Sequence, residues 1–271
     1  MNVMISVNQR AFTGAEVVIY SLMRYHKNVH WYVTTMEFTV CDTNNNCVDH
    51  IGINQMHFHD LEKIVKYFDS DSTIELIDTT EYYMQYLACG PNDFTPFTPY
   101  TSIRLFSDLI LPEDEHDLLY LDVDTLVCQN IDAEYKKYTS IDGPYAAYSI
   151  IEACDYKGEM VAGILFFNMD ICRKTKFFET ARKYYKTNEY KFPDQMAIRD
   201  TADPVDMDKS LNYMWPLDDA EEPIKIIHFT NRLSPKVYSV PWERFFQKFP
   251  QFKDIKEGIE LINSLDLKII N

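Results

Sequence analysis

Residues 118–132, with the sequence LLYLDVDTLVCQNID, constrain the fold of this chain more than any other segment. Their first four residues are apolar and favour a buried β-strand. Asp122 and Asp124 follow, and residues two apart lie on the same side of an extended segment. Neighbouring carboxylates repel each other unless a cation or a proton lies between them. Such oxygen ligands suit Mg²⁺ or Mn²⁺, so the segment predicts a metal site; its structural alternative is an Asp-rich turn after a core strand.

The composition indicates a large apolar core and an acidic surface. The 271 residues correspond to one large domain or two closely packed ones, and 46% of them are hydrophobic. The 42 acidic residues outnumber the 26 basic ones, which gives a net charge of −16. This charge argues against nucleic acid and anionic membranes as general partners.

The cysteines and the first residues indicate a cytoplasmic protein. The six cysteines form no CxxC pair; Cys41 and Cys47 flank DTNNN and could bridge a loop, but we expect reduced thiols. The opening sequence MNVMISVNQRAF lacks the basic leader and apolar core of a signal peptide. No apolar run approaches the ~20 residues of a membrane span.

The chain opens with a strand, a helix and a second strand. Residues 3–7 are apolar, residues 13–16 (TGAE) match a capping box, and residues 29–33 form the next apolar run. This order predicts a parallel sheet with ligands at the carboxyl ends of its strands. Residues 8–10 lie at such an end but contain no glycine fingerprint, so we do not expect a dinucleotide-type phosphate cradle.

The middle of the chain contains a candidate metal-binding pair, His57 and His59, and a candidate ligand-binding cation, Arg104. Residues 56–68 contain His57 and His59, but their apolar spacing predicts an ordinary amphipathic helix. Residues 81–99 contain three prolines and predict an irregular loop. Arg104 follows near the start of a predicted helix, where it either pairs with Asp108 at the surface or clamps a phosphate or carboxylate.

The second half alternates strands and helices. Strands are predicted at 145–150, 161–167 and 224–227, and helices at 172–185, from 193 onward, and at 243–271. Asp194 and Gln195 lie in the first turn of a helix, where Asp is common because it suits the helix dipole. His228 ends the last strand, and its structural alternative is a buried core histidine.

The order of these elements resembles the family 8 glycosyltransferases, which include bacterial lipopolysaccharide galactosyltransferases and glycogenin. The resemblance runs from the opening strand to Trp242 and rests on MISVNQ, IRLFSDLILP, LLYLDVDTLV, VAGILFFNMD, FPDQ, and IIHF with a later PW. It implies an α/β, Rossmann-like GT-A fold with a mixed, mainly parallel central sheet flanked by helices. It further implies a single domain over residues 1–271, in which about 1–135 bind the nucleotide and about 136–271 bind the acceptor and form the C-terminal helices.

The same resemblance implies a retaining enzyme. It would move a hexose, with galactose or glucose favoured, from a UDP-sugar to a glycan, glycolipid or glycoprotein acceptor with Mn²⁺ or Mg²⁺. It allows a weak peripheral contact with the inner face of the membrane and predicts no particular oligomeric state.

The resemblance also assigns roles to residues. Asp122, Asp124 and His228 would bind the metal. Asp194 would bind hydroxyls of the transferred sugar, and Gln195 would lie under its anomeric carbon. The residues expected to hold the donor are Ser6, Val7, Asn8, Arg104, Asp122, Val123, Asp124, Ala162, Gly163 and Lys236.

Two departures from the family pattern affect these assignments. Val161 stands where the family often has an Asn that touches the donor sugar. After His228 the usual Gly and Lys are missing, and Pro241-Trp242 come only after an insertion, so either Lys236 or Arg232 would bind the diphosphate.

The chemistry of these residues leaves three classes of function. No carboxylate pair has the roles found in retaining hydrolases, which favours front-side attack with the leaving phosphate as base. A haloacid-dehalogenase-type phosphatase would use Asp122 as nucleophile, although that motif normally lies on the first core strand and needs an acidic pair such as Asp218-Asp219 after another strand. The third class is a non-catalytic sugar-nucleotide-binding protein.

Overall fold

Strands at both ends of the chain contribute to two sheets and a hairpin. The structure is a computed structural model and describes residues 1–41, 47–93, 95, 99–150, 159–214, 223–229 and 250–265. The strands are β1 (Asn2–Ser6), β2 (His30–Thr35), β3 (Phe38–Cys41), β4 (Cys47–His50), β5 (Thr73–Asp78), β6 (Asp117–Leu121), β7 (Thr125–Val127), β8 (Tyr145–Ile150), β9 (Glu159–Asn168), β10 (Val205–Asp206), β11 (Tyr213–Met214) and β12 (Ile226–His228).

Helices cover the sheets. They are α1 (Phe12–Met23), α2 (Gln55–Phe68), α3 (Thr80–Tyr86), α4 (Ser107–Ile110), α5 (Asp132–Thr139), α6 (Met169–Lys174), α7 (Phe177–Thr187), α8 (Pro193–Thr201) and α9 (Ile255–Ser264). Short 3₁₀ helices lie at Gln9–Ala11, Pro99–Phe106, Lys209–Leu211 and Pro250–Phe252.

The main sheet has the strand order β10-β8-β9-β6-β1-β2-β5. Strands β6, β1, β2 and β5 are parallel, whereas β9 runs antiparallel to both β6 and β8. The mixed, mainly parallel sheet flanked by helices is therefore confirmed. A second sheet has the order β11-β12-β7 and continues from β6 through the turn that holds the two aspartates.

Alternating side chains fill a core on each face of the main sheet. Val3 and Ile5 pack with α1 on one face, while Met4, between them, packs on the other. Leu119 and Tyr120 of β6 likewise pack on opposite faces of the sheet. This alternation follows from the two-residue period of a strand buried on both faces.

Two predicted elements have different limits in the structure. The loop predicted at 81–99 begins instead with α3, because Tyr83 and Leu87 lie one helical turn apart and are both buried. The helix predicted at 172–185 is divided into α6 and α7 at Lys176, which has a left-handed φ of 55° and lets Phe177 and Phe178 pack into the core.

The helix predicted after β1 is α1, but it begins at Phe12 without a side-chain cap, so residues 13–16 form no capping box. Helix α2 has a capping box between Asn54 and His57, so the HxH segment forms an ordinary helix start. The single helix predicted at 243–271 is divided in its described part, residues 250–265, into the 3₁₀ helix Pro250–Phe252 and α9; residues 243–249 and 266–271 lie outside the described residues.

The expectation that Cys41 and Cys47 stay reduced is wrong for this structure. Strands β3 and β4 form an antiparallel hairpin whose register places Cys41 opposite Cys47, with Cα atoms 4.0 Å apart, and a disulfide joins them. Cys41 and Cys47 are six residues apart in the sequence, and the pairing of the two strands brings their thiols together.

Within the described ranges, no helix combines the length and apolar character needed to cross a membrane.

Helix α9 packs on α1 through a buried carboxyl group. The Glu16 side chain accepts a 3.0 Å hydrogen bond from Asn263 Nδ2. Burial raises the pKa of Glu16 to about 7; the Asn263 hydrogen bond opposes this shift, and the charge of Asp60 adds to it. A carboxyl group whose pKa is raised by folding contributes stability that is present below its unfolded pKa and is lost as the pH rises through its folded pKa.

We expect Glu16→Gln to stabilise the protein at about pH 8, by on the order of 1–3 kcal/mol, and to do so progressively less as the pH falls toward about 4.5. The amide remains neutral and still accepts the Asn263 hydrogen bond. Urea unfolding of both proteins between these pH values measures the difference. Glu260→Gln, an exposed change on α9, is the control. A stability difference between Glu16→Gln and wild type that does not vary with pH would contradict the buried, protonated Glu16.

Candidate active site

Side chains from two distant parts of the sequence meet at the carboxyl end of β6. Asp122 and Asp124 lie in the turn between β6 and β7, and β7 pairs with β12 so that Thr125 faces His228. His228 Nε2 is 3.3 Å from Asp124 Oδ1 and 4.0 Å from Asp122 Oδ2. One ligand atom from each of the three residues lies within 4.8 Å of the others.

Backbone hydrogen bonds hold this turn in place. The Asp122 N–H donates to the Gly163 carbonyl at 2.7 Å, and the Phe229 N–H donates to the Asp124 carbonyl at 2.9 Å. The Thr125 hydroxyl donates to the Asp122 carbonyl at 2.8 Å. The two aspartates are therefore fixed to both neighbouring strands, β9 and β12.

The electrostatics of the cluster favour a cation. Burial raises the pKa of Asp122, and the charge of Asp124 raises it further, whereas Arg104 opposes the shift. Burial lowers the pKa of His228, but the neighbouring charges of Asp124 and Asp122 outweigh it and the net direction is upward. Two carboxylate oxygens and one imidazole nitrogen in a half-buried turn form a donor set that fits a divalent ion such as Mn²⁺ or Mg²⁺.

Arg104 lies under this turn, with 1% of its side chain exposed. Its Nη2 is 2.7 Å from Asp122 Oδ1, and its Nε is 3.3 Å from Asp194 Oδ2. Its Nη1 donates to the Ala162 carbonyl, and the guanidinium lies 4.1 Å from the centre of the Tyr120 ring. A single buried cation thus joins Asp122 of the turn to Asp194 of α8.

The surface alternative for Arg104 is wrong. Asp108, the partner at i+4, pairs instead with Arg182 Nη2 at 3.0 Å. The 3₁₀ conformation of Pro99–Phe106 changes the side-chain spacing from that of an α-helix, so the i+4 rule does not apply there.

Asp194 and Gln195 lie in the first turn of α8, as predicted. Asp194 is 6% exposed and contacts Arg104. Gln195 Oε1 accepts a 3.3 Å hydrogen bond from the Ala162 N–H. Ala162 therefore contacts Gln195 through its N–H and Arg104 through its carbonyl, which places the start of α8 beside β9.

The residues after β1 are built into the same edge of the sheet. Ser6 Oγ is 3.0 Å from Thr34 Oγ1, and Asn8 Oδ1 accepts from the Ala11 N–H at 2.9 Å. Val7 is fully buried; its N–H donates to the Thr34 carbonyl, and its carbonyl accepts from the Thr35 hydroxyl. Val123 packs against α1, where a Cβ at Gly14 would lie 2.3 Å from the Val123 carbonyl oxygen.

Gly163 lies against the ring of His228. A Cβ at this position would be 2.1 Å from His228 Cε1 and 2.5 Å from Nε2. Only a residue without a side chain leaves room for the imidazole here.

The remaining candidates lie outside the described residues. They are Lys236 and Arg232, proposed for the diphosphate, and Asp218 and Asp219 of the phosphatase alternative.

Two contacts of the site were not predicted from the sequence. The Tyr120 hydroxyl donates to Asp122 Oδ1 at 3.0 Å; its position two residues before Asp122 on the same strand is a signal that could have revealed it. Asn212 Oδ1 lies 3.1 Å from His228 Nδ1. No local signal marks Asn212, since the pairing of β11 with β12 brings it there.

No family model matches this chain, and no curated protein matches it by sequence. Its fold is similar to that of several solved glycosyltransferases. The galactosyltransferase LgtC, in complex with donor and acceptor sugar analogs, has a TM-score of 0.67 at 15% identity, covering 98% of this chain and 97% of LgtC. The bifunctional glycosyltransferase WbbM in its apo form has a TM-score of 0.65 at 15% identity, covering 92% of this chain and 51% of WbbM. Mouse xyloside xylosyltransferase 1 has a TM-score of 0.57 at 11% identity, covering 85% of this chain and 97% of that enzyme. The chain therefore has the fold of these glycosyltransferases, and the GT-A fold predicted from the sequence is confirmed.

We expect Arg104→Met to destabilise the protein by about 3–5 kcal/mol, because it leaves Asp122 and Asp194 without their buried partner. Chemical denaturation of the metal-free protein measures this loss. Arg199→Met is the control, since Arg199 pairs with Asp200 near the surface and should contribute less than about 1 kcal/mol. Equal losses in the two variants would show that Arg104 is not a structural bridge.

Proposed function

We propose that the protein is a retaining glycosyltransferase of family 8. It transfers a hexose, with galactose or glucose favoured, from a UDP-sugar to a glycan, glycolipid or glycoprotein acceptor. The observation that carries this proposal is the meeting of Asp122, Asp124 and His228 at the carboxyl edge of a glycosyltransferase fold. Residues 1–135 would hold the nucleotide, and residues 136–271 would bind the acceptor, in a cytoplasmic protein with at most a weak peripheral contact with the membrane.

Asp122, Asp124 and His228 would hold a Mn²⁺ or Mg²⁺ ion, which when bound stabilises negative charge on the diphosphate. Val123, between the two aspartates, and residues 6–8 would line the nucleotide pocket. Lys236 or Arg232 would add a cation at the diphosphate. Arg104 would hold the donor by keeping Asp122 and Asp194 in place.

The sugar would lie between β9 and α8. Asp194 would bind its hydroxyls, and the backbone of Ala162 and Gly163 would face it. Gln195 Oε1 accepts one hydrogen bond from the Ala162 N–H, and an amide oxygen has a second lone pair. That lone pair would face the positive charge that develops at the anomeric carbon.

Transfer with retention requires attack on the face that the leaving group vacates. The bond between the anomeric carbon and the diphosphate oxygen breaks, and the acceptor oxygen forms its bond to that carbon on the same side. The acceptor proton passes to the leaving phosphate. An amide at position 195 stabilises the sugar without forming a covalent ester, as a carboxylate could.

The solved structures support this arrangement by analogy. LgtC is a galactosyltransferase whose structure holds donor and acceptor sugar analogs, and another of its structures carries a change of glutamine to glutamate in the active site. Such support is weaker for the phosphatase, because its motif normally lies on the first core strand, whereas β6 follows five earlier strands of this chain, including β1, β2 and β5.

A screen of nucleotide sugars with Mn²⁺, monitored by donor hydrolysis and by transfer to sugar acceptors, tests the proposal. We expect a UDP-hexose to be consumed and the product to keep the α configuration of the donor, which NMR measures. A β product would overturn the mechanism. Calorimetric binding of UDP-sugars without any turnover would indicate a non-catalytic binding protein.

We expect Asp124→Ala to abolish transfer and to weaken Mn²⁺-dependent UDP binding, because Asp122 and His228 alone offer only two protein ligands. Calorimetry with UDP and Mn²⁺ and an activity assay measure the two effects. Transfer near the wild-type rate by Asp124→Ala in the presence of EDTA would exclude the metal-dependent mechanism. A phosphatase would instead form an acyl-phosphate on Asp122 and lose activity in Asp122→Asn.

We expect Gln195→Ala to lower kcat by about 10- to 1000-fold, equivalent to ~1.4–4 kcal/mol, with a much smaller effect on KM for the donor. The reason is that the contact strengthens as charge develops in the transition state. Steady-state kinetics over a range of donor concentrations separate the two constants. An unchanged kcat with a higher KM would make Gln195 a substrate-binding residue only.

A further inference from the structure

Asn212 is a fully buried amide next to the proposed metal ligands. It follows the 3₁₀ helix Lys209–Leu211 and precedes β11. Its Oδ1 lies 3.1 Å from His228 Nδ1. Its Nδ2 has no hydrogen-bond partner among the described residues. The oxygen is the atom of this amide that contacts the His228 ring.

Both ends of this contact are fixed by backbone pairing. The Asn212 N–H donates to the Lys209 carbonyl at 3.0 Å, and the Lys225 N–H donates to the Ser210 carbonyl at 2.8 Å. The next residues pair in register, with Met214 opposite His228. Asn212 and His228 therefore lie on adjoining segments that cannot shift independently.

Gly163 restricts the position of the His228 ring through close packing. The ring lies so close to Gly163 that a Cβ there would be 2.5 Å from Nε2 and 2.8 Å from Nδ1. Asn212 contacts Nδ1, and the Nε2 atom points to Asp124 and Asp122 at 3.3 Å and 4.0 Å. The ring is thus held by a hydrogen bond at Nδ1 and by close packing at Gly163.

We propose that Asn212 is a positioning residue that sets the tautomer of His228. A neutral imidazole carries one N–H, and Asn212 Oδ1 can only accept it, so the proton stays on Nδ1. Nε2 then presents its lone pair to the space between Asp122 and Asp124, as a metal ligand requires. The inference rests on the proposed function, because it assigns the role of Asn212 toward the metal of that site.

The opposite arrangement of the amide makes a different prediction. If Nδ2 faced the ring, it would donate to Nδ1 and leave the proton on Nε2. His228 would then donate to Asp124 and could not bind a metal through Nε2 without losing that proton. The tautomer of His228 therefore decides between the two arrangements.

The first test is made on the metal-free protein and needs no activity. Long-range ¹H–¹⁵N correlation spectra of protein labelled with ¹⁵N-histidine, recorded at alkaline pH where the ring is neutral, report the tautomer of each histidine. The His228 signals are those that disappear in His228→Gln. We expect the Nδ1–H tautomer in the wild type and a loss of this preference in Asn212→Leu. An Nε2–H tautomer in the wild type would overturn the inference.

The second test measures Mn²⁺ binding by calorimetry in the presence of UDP. We expect Asn212→Leu, which keeps the volume but removes the acceptor, to weaken binding by about 10- to 100-fold. Asn212→Asp keeps the accepting oxygen and should bind within a few-fold of the wild type or more tightly. Equal losses in both variants, or wild-type binding by Asn212→Leu, would contradict the proposal.

The glycine contact provides a matched pair of variants. Gly163→Ala should weaken Mn²⁺ binding because its Cβ displaces the ring. Gly143→Ala should not, since among the described residues a Cβ there meets Val205 Cγ2 alone, at 3.3 Å. Wild-type protein that binds no Mn²⁺ would contradict the proposed function, and the tautomer measurement would still decide the role of Asn212. If Asn212→Leu does not fold, as judged by circular dichroism, Asn212→Asp and the wild-type spectrum remain decisive.

Discussion

Repulsion between the carboxylates of Asp122 and Asp124 is the constraint on which the site depends. Both groups lie in one short turn at the end of a buried strand, where water screens them little. Contacts with Arg104, below Asp122, and with His228, beside Asp124, offset this repulsion. The two groups approach from two directions and from different layers of the fold: the Arg104 guanidinium from the 3₁₀ helix before β6, and the His228 imidazole from the small sheet beyond it.

The sheet topology makes this convergence possible. Strand β6 ends between β1 and β9, so its turn receives side chains and backbone groups from both neighbours. Strand β7 then turns away to pair with β12, which places His228 beside the turn without a long loop. A ligand at the carboxyl edge of β6 therefore meets residues from the beginning, the middle and the end of the chain, as expected for a crevice at a switch in strand order.

The sequence predicted what local patterns determine. Apolar runs located β1, β2, β6 and β9, and the spacing of Asp122 and Asp124 located the turn. It could not predict contacts that depend on register. The Cys41–Cys47 disulfide follows from the pairing of β3 with β4, and the Asn212 contact follows from the pairing of β11 with β12. The i+4 spacing of an α-helix would pair Arg104 with Asp108, but Arg104 lies in a 3₁₀ helix, which does not have that spacing.

The contacts of Arg104 indicate that it has a different role from the other cations of the proposed reaction. Its Nε, Nη1 and Nη2 all contact protein oxygens, from Thr101, Ala162, Asp122 and Asp194. A guanidinium engaged in this way fixes the carboxylates in place but does not move to follow a leaving group. Compensation of the charge that grows on a departing diphosphate would then fall to an ion held by Asp122, Asp124 and His228, together with a cation from the segment after His228. The buried arginine would thus preorganise the carboxylates of the site. The metal and its neighbours would stabilise the negative charge that develops on the leaving group during transfer.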